Sequence, residues 1–467
     1  MTVGAWTPLE WLALAERELS LFAGAFFLLG LADELAVDCL WLGLRLSGRA
    51  RTRRIQRAQH RPTMLTGPAA LLIPAWQEER VLAATIAHAL LAWPQHQLRL
   101  YVGCYRNDAA TAEAILRGAG LDPRVRLVVH DRDGPTTKAD CLNRLYAAMA
   151  IDERRCGRRF RMILQHDAED MVDPAALGLL DQALARAQFI QLPVLPEPQP
   201  HSRWIGSHYC EEFAEAHGKA MVVRDALGVA LPAAGVGCAF SRDMLEAIAA
   251  DAGGEGPFAV DSLTEDYELG LKIKAAGGRA WFLRARGEDG RLVATRACFP
   301  PTLPQAVRQK SRWVHGIALQ GWDRLGWAGG LAESWMRLRD RRGPLAALVL
   351  FAAYALLILV ALLWLADLLG FGHPWKPSGA LRAVLWINLA GFVWRTGMRF
   401  AFTSREYGWA EGARAVMRLP HANVIAIMAG RRALMAYVGS LMGRQLRWEK
   451  TQHDMHPAHL AGDEAPA

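Results

Sequence analysis

Residues 345–370, LAALVLFAAYALLILVALLWLADLLG, run for 26 positions with one acid, Asp367. About 20 apolar residues suffice to cross a bilayer. Inside hydrocarbon every backbone polar group needs an internal partner, so such a stretch is a helix. Residues 21–44, LFAGAFFLLGLADELAVDCLWLGL, form a second candidate span near the N-terminus. Acids precede it (Glu10, Glu16, Glu18), and residues 45–61 follow it with seven arginines and no acid. That order speaks against a signal peptide and points its C-terminal end into the cytoplasm. The arginine run therefore reads as a membrane flank, with no nucleic-acid partner. Residues 381–403 give a third span, weakened by Arg395 and Arg399. Residues 424–442 are apolar but split by Arg431 and Arg432, which predicts a helix lying in the interface. Asp33, Glu34 and Asp38 inside the first span are costly in lipid, and their depth predicts pairing with Arg395 or Arg399.

Between the hydrophobic ends lies a chain of different character. The mean hydropathy of the whole is close to zero, so most of it folds in water. ALLIPAWQEE, QLRLYVGCY, RVRLVVHD and FRMILQHD read as strands. RVLAATIAHALLAW, DAATAEAILRGAG and KADCLNRLYAAMA read as the helices between them. This alternation predicts an α/β domain with a mostly parallel sheet covered on both faces. Ligands of such sheets collect at the carboxyl ends of the strands. The loops PAWQEE, YRND, HDRDG and HDAED all leave at that end. The seven cysteines are odd in number, widely spaced and without a C-x-x-C pair, which speaks against disulfides and structural zinc. No phosphate-binding P-loop and no G-x-G-x-x-G is present, so nucleotide hydrolysis and dinucleotide binding lose support.

Three clusters carry chemistry. In LQHDAEDMVDP a buried strand ends at Asp167, with Glu169 and Asp170 close behind; carboxylates two apart on such a loop suit one hard cation with diphosphate oxygens. In TEDYELGLKI, Thr264 caps a helix whose first turn holds Glu265 and Asp266. Acids belong at a helix start, and Asp266 is also placed to act as a general base toward a hydroxyl. In RQKSRW, Gln309, Arg312 and Trp313 share one helical turn, the arginine suited to a departing diphosphate and the tryptophan to a sugar ring. GVGCAFSR (Gly235 to Arg242) fits either a glycine loop that lets backbone approach a ligand or a tight turn. The three clusters in this order point to sugar transfer from a nucleotide.

The ordered set LIPAWQEE, YRND, TTKADCLN, LQHDAED, GVGCAFSR, TEDYELGLKI and RQKSRW resembles the inverting family 2 glycosyltransferases of the cellulose-synthase and hyaluronan-synthase type, over about residues 66–320. HDAED, YRND and the ending LRWEKTQH are more similar still to the bacteriophage-adsorption protein B subfamily of inner-membrane glycosyltransferases. The resemblance implies a GT-A fold, a UDP-sugar donor and Mg or Mn. It places Pro74, Glu78, Asp108, Lys138 and Asp167 at the donor, with Asp108 near the nucleoside and Lys138 near the phosphates. It makes Asp167 and Glu169 the metal pair, although the second acid is Glu where the family has Asp. Asp266, with Glu265 beside it, becomes the base, and Gln309, Arg312 and Trp313 the acceptor and diphosphate motif. Longer members carry a C-terminal cyclic-di-GMP-sensing domain, which lies beyond the length of this chain.

The expected organisation is an N-terminal segment and span (1–44), a basic cytosolic linker (45–65), the GT-A domain (66–320), interfacial helices (321–344), two spans (345–403), an interfacial amphipathic segment (404–450) and an unstructured tail (451–467). The expected setting is the bacterial inner membrane, multi-pass, with the catalytic domain cytosolic. The expected partners are a UDP-sugar, a glycan or lipid-linked acceptor for cell-surface polysaccharide, membrane lipid and an outer-membrane export partner. A processive polysaccharide synthase and a non-catalytic membrane scaffold are the competing readings.

Overall fold

Four consecutive strand–helix units build the centre of the protein. The structure is a computed structural model that describes residues 6–50, 52–372, 375–443 and 455–460. A 39-residue helix, α1 (Pro8–Leu46), comes first, closed at its N-terminus by a capping box between Thr7 and Glu10. A two-residue strand, β1 (Arg53–Arg54), follows. The domain proper then runs β2 (Ala69–Pro74), α2 (Leu82–Ala92), β3 (Leu98–Tyr105), α3 (Ala109–Ala119), β4 (Val125–His130), α4 (Lys138–Cys156) and β5 (Met162–Gln165). These four strands pair in parallel in the order β4–β3–β2–β5.

After α5 (Ala176–Ala183) the strands shorten: β6 (Phe189–Gln191), β7 (Val194–Pro196), β8 (Cys238–Ser241), β9 (Ala280–Phe282), β10 (Ala285–Arg286) and β11 (Thr295–Ala297). The full sheet has seven strands in the order β4–β3–β2–β5–β8–β6–β9, with β8 alone antiparallel to its neighbours. Side chains alternate across it. Leu71, Ile73, Leu100 and Val102 join a core with Leu82, Ile86 and Leu177 on one face. Leu72, Tyr101, Ile163 and Phe240 join Leu142, Leu145, Leu245 and Leu269 on the other. Burial on both faces is what makes these strands continuous apolar runs.

Between the short strands lie α6 (His208–Glu215), a π-helical turn at Ala216–Ala220, α7 (Met221–Ala226), α8 (Arg242–Asp251) and α9 (Glu265–Ala275). Beyond β11 come α10 (Leu303–Trp313), a second π-helical stretch at Val314–Gln320, α11 (Gly321–Leu325) and α12 (Leu331–Arg341). The end of the chain is helical: α13 (Gly343–Leu368), α14 (Gly379–Tyr407), α15 (Trp409–Met417), α16 (Leu419–Leu441) and α17 (Pro457–Leu460).

Among the described residues, α1, α13 and α16 are long and apolar enough to cross a membrane. This set differs from the expected one. Helix α14, which contains the expected third span, falls outside it, diluted by Arg382, Arg395 and Arg399. Helix α16, expected in the interface, falls inside it. Yet both ends of α16 are tied by polar contacts to other helices of the fold. Arg418, fully buried just before its first turn, pairs with Glu211 of α6 at 2.9 Å and Glu411 of α15 at 2.6 Å. Near its other end the Tyr437 hydroxyl donates to Asp323 of α11 at 2.7 Å.

The acids of α1 are paired, as their cost in an apolar setting demands. Arg395 of α14 lies 3.3 Å from Glu34, 3.8 Å from Asp38 and 2.6 Å from Glu215. The expected pairing with Arg395 is therefore present. Lys219, on the first π-helical turn, adds contacts of 2.5 Å to Asp38 and 2.8 Å to Glu215, and Arg339 of α12 reaches Glu34 at 2.9 Å.

The basic stretch after α1 is more than a linker. β1 adds in parallel to β10, and Arg57 pairs with Asp173 at 3.1 Å and Asp289 at 2.5 Å. The end of the chain also departs from expectation: residues 455–460 are packed on the domain, with His456 fully buried and its ring 6.5 Å from that of His88 on α2. Lys450 and His453, expected near the active-site mouth, lie outside the described residues. All seven cysteines are unpaired thiols, five of them buried.

Candidate active site

Parallel pairing of β2, β3, β4 and β5 delivers their four carboxyl-end loops to one edge of the sheet. Pro74 ends β2, and the chain then turns through Gln77, whose φ of 55° is left-handed for a residue with a side chain. Asp108 holds that turn. One of its oxygens accepts the Gln77 N–H at 2.6 Å and the other caps α3 through the Thr111 N–H at 3.3 Å. The buried Glu78 is fixed by its own N–H, which donates to the Thr111 hydroxyl at 2.9 Å. Backbone amides thus engage both oxygens of Asp108, which shapes the loop after β2. Asn107 fixes the third loop, exchanging hydrogen bonds of 2.8 and 3.1 Å with Gly134.

The acidic loop after β5 is organised by Asp170, which accepts the Asp167 N–H at 2.9 Å and faces His166 Nδ1 at 2.8 Å. This leaves the Asp167 carboxylate partly exposed, 2.6 Å from Lys138 Nζ at the start of α4. Lys138 in turn lies 3.8 Å from Glu265. Three expected residues from distant segments therefore meet: Lys138, Asp167 and Glu265, with Asp266 next in line.

The two acids that open α9 have different surroundings. Glu265 is buried behind Lys138. Asp266 is half-buried, accepts the Tyr267 N–H at 2.7 Å and faces Gly235. A Cβ on Gly235 would come within 2.4 Å of an Asp266 carboxylate oxygen, at a φ of +75°. Of the two readings of GVGCAFSR, the structure supports close backbone approach: the glycine loop is the wall against which Asp266 is set. Burial pushes both carboxyls upward, Glu265 to about 7, and Lys138 pulls each back down. Arg312 adds a smaller downward pull on Asp266, so the third motif is electrostatically in reach of the second. Burial would lower the Lys138 ammonium, but Asp167, Glu265 and Asp266 raise it well above its ordinary value.

Trp313 packs edge-on against Tyr209 at 6.0 Å and Phe299 at 6.4 Å, so its ring is part of an aromatic cluster behind the site. The Gln309 side-chain oxygen is buried without a hydrogen-bond partner among the described residues. The π-helical stretch that follows sets Gly316 so close to Thr264 that a Cβ would approach it to 2.6 Å. Such bulges recur at functional sites.

Several supporting residues escape a reading of sequence. Gln191 on β6 holds the glycine loop from both sides, donating to Val236 O at 2.8 Å and accepting from Ala234 N at 2.9 Å. Gln320 grips the segment before α9 through Leu263 N at 2.9 Å and Asp261 O at 2.7 Å. Asn143 clamps Phe258 through bonds of 2.8 and 3.1 Å. A buried glutamine in an otherwise apolar strand was the one signal available for Gln191.

Among the described residues no three His, Cys, Asp or Glu side chains gather as a metal cage. A divalent cation bound jointly by one or two carboxylates and substrate phosphates needs no such cage. Asp167, a hard oxygen donor whose counter-ion is now an ammonium, fits that role, with Glu169 on the same loop.

Residues 67–316 match the family described as glycosyltransferase like family 2. The chain is 34% identical over 453 residues to bacteriophage adsorption protein B of Escherichia coli strain K12, covering 92% of this chain and 60% of that protein. It thus spans about 60% of that relative's length. Among solved structures it is similar to a mannosyltransferase from Pyrobaculum calidifontis in complex with GDP-Man and Mn2+, at 16% identity and a TM-score of 0.49 over 85% of this chain and 98% of that one. It is also similar to glucosyl-3-phosphoglycerate synthase from Mycobacterium tuberculosis, at 16% identity and a TM-score of 0.35 over 60% of this chain and 88% of that one. The matched residues begin just before β2, end within the second π-helical stretch and enclose every strand of the seven-stranded sheet: the chain belongs to the family 2 glycosyltransferases.

Proposed function

We propose that the protein is a membrane-bound inverting glycosyltransferase that moves a sugar from a UDP-sugar to a glycan or lipid-linked acceptor in cell-surface polysaccharide synthesis. The observation that carries this reading is the convergence of Lys138, Asp167 and Asp266 at the carboxyl edge of the sheet, with Lys138 2.6 Å from Asp167 and the Gly235 backbone against Asp266. In the proposed reaction the acceptor hydroxyl oxygen attacks the anomeric carbon while the bond to the diphosphate breaks. The hydroxyl proton passes to Asp266 and UDP departs. One displacement inverts the anomeric centre. Asp266 suits the base because burial raises its proton affinity while it keeps partial access to solvent. Lys138 and Arg312 offset charge on the departing diphosphate. Mg or Mn, held by Asp167 and Glu169 when bound, supplies further neutralisation there. Glu265, buried behind Lys138, orients that ammonium. Helices α1, α13 and α14 anchor the enzyme, with the domain on the cytosolic side of the inner membrane as the arginine flank suggests, and α14 returns the chain to that side. Helix α16 lies along the interface, since both its ends bind elements of the domain.

The test is release of UDP from a panel of UDP-sugars by purified protein. Asp266→Asn should lower turnover at least about 10²-fold with little change in donor affinity. No UDP release from any donor, with the protein folded, would favour a scaffold. Near-normal turnover of the variant would remove Asp266 from the mechanism.

A further inference from the structure

Away from the catalytic edge, the end of α1 meets α7, β9 and the end of α14 around a cavity of about 300 Å³. None of the candidate catalytic residues lines it. Five arginines do: Arg45, Arg49, Arg53, Arg284 and Arg405. The one acid in the lining, Asp225, is turned to the sheet and accepts the Phe282 N–H at 3.1 Å. Just outside, Glu406 lies 3.8 Å from Arg284 and is shared with Arg286. That carboxylate is shared by Arg284 and Arg286 and also acts on Arg405, so the lining carries more guanidinium groups than nearby acids.

Arg284 reports the resulting field. Its side chain is about nine-tenths buried, at 10% exposure. Burial, set against Glu406 and joined by Arg286, Arg405 and Arg45, pushes its pKa down to about 10. Arg284 is the one shielded member, while Arg45, Arg49, Arg53 and Arg405 are exposed around it, and an anion bound among them would offset their mutual repulsion. Guanidinium groups match phosphate oxygens two at a time.

The floor of the cavity is apolar. Trp41 is locked by its indole N–H, which donates to Gly218 O at 3.0 Å, and packs edge-on against Phe402 at 5.2 Å. Trp41 is near the end of α1, a helix apolar enough to cross a membrane. A cationic rim above an aromatic floor, at the end of such a helix, matches a lipid headgroup with carbon attached. We propose that this cavity binds a phosphate-bearing anion, the phosphodiester headgroup of an anionic phospholipid.

The experiment uses the full chain, delipidated in detergent, with native mass spectrometry after addition of phosphatidylglycerol or phosphatidylcholine. Glycerol 3-phosphate serves as a soluble competitor. Wild type should hold phosphatidylglycerol in preference to phosphatidylcholine. R49Q/R405Q should lower that occupancy at least about tenfold, since each arginine near a lipid surface contributes about 1 kcal/mol. The control R117Q/R154Q, on exposed faces of α3 and α4, should leave it unchanged. Displacement of the lipid by glycerol 3-phosphate would support the phosphate site and show that a soluble ester also fills it. Equal occupancy in R49Q/R405Q and wild type, or no preference for the anionic lipid, would overturn the proposal.

Discussion

Gly235 governs the geometry of the candidate base more directly than any charged neighbour. Its φ of +75° and the 2.4 Å approach of a hypothetical Cβ to Asp266 leave room for no side chain. The motif residues were legible because their chemistry is unusual in sequence: paired acids after a strand, T-E-D at the start of a helix, Q-x-x-R-W within one. The amides that hold them, Gln191, Asn143 and Gln320, were not. An amide takes its role from what tertiary contact brings to it, and each of these bonds joins segments distant in sequence. His217 is likewise silent in sequence. Its Nδ1 accepts the Val194 N–H at 2.8 Å, so the ring is held neutral. Burial, and then Arg284, push its pKa down to about 3, against about 6.5 in an unfolded chain. The unfolded chain therefore binds the extra proton between those values. This contribution to stability is complete above about pH 6.5 and is lost as pH falls toward 3, by at most about 1.4 kcal/mol per pH unit. His217→Asn, which keeps an acceptor but cannot charge, should show a smaller drop in melting temperature from pH 7 to pH 5 than wild type. Equal drops would assign the acid sensitivity to other groups.

Helices and strands differed in how far sequence foretold them. β2 and β5 were readable because strands buried on both faces are nearly unbroken apolar runs, and β3 and β4 because apolar residues dominate them despite Arg99 and Arg126. β6 to β11, two to four residues each, are too short for any period to emerge, so the antiparallel β8 and the β7–β11 pair came only with the structure. Apolar content alone cannot place α14 and α16. Arg431 and Arg432 would each cost about 2.5–3.5 kcal/mol at the centre of a span, whereas contacts of Arg418 with Glu211 and of Tyr437 with Asp323 keep both ends of α16 on the domain. An interfacial α16 predicts that alkaline phosphatase fused at the C-terminus is inactive and that a green fluorescent protein at the same point fluoresces. Active phosphatase would mean that the helix crosses.

At the scale of the whole molecule, one buried ionic network binds the first helix to everything else. Lys219 touches Asp38 of α1 and Glu215 of α6, and Arg395 of α14 touches the same two acids. Removing one member of such a group strands its partners, at about 3–5 kcal/mol. Lys219→Met should therefore lower thermal stability in detergent sharply, and D38N/K219M should recover part of the loss. A K219M protein as stable as wild type would show the network to be dispensable. A second attachment lies a few residues further on, where β1 adds to β10 in register, Arg53 beside Ala285 and Arg54 beside Arg286. The chain leaving α1 is consequently a bracket rather than a tether. With α1 in the bilayer, as proposed, the bracket fixes the tilt and height of the catalytic mouth above the lipid. On the proposed function, that fixed height would act as a ruler, favouring acceptor hydroxyls presented at one distance from the lipid surface.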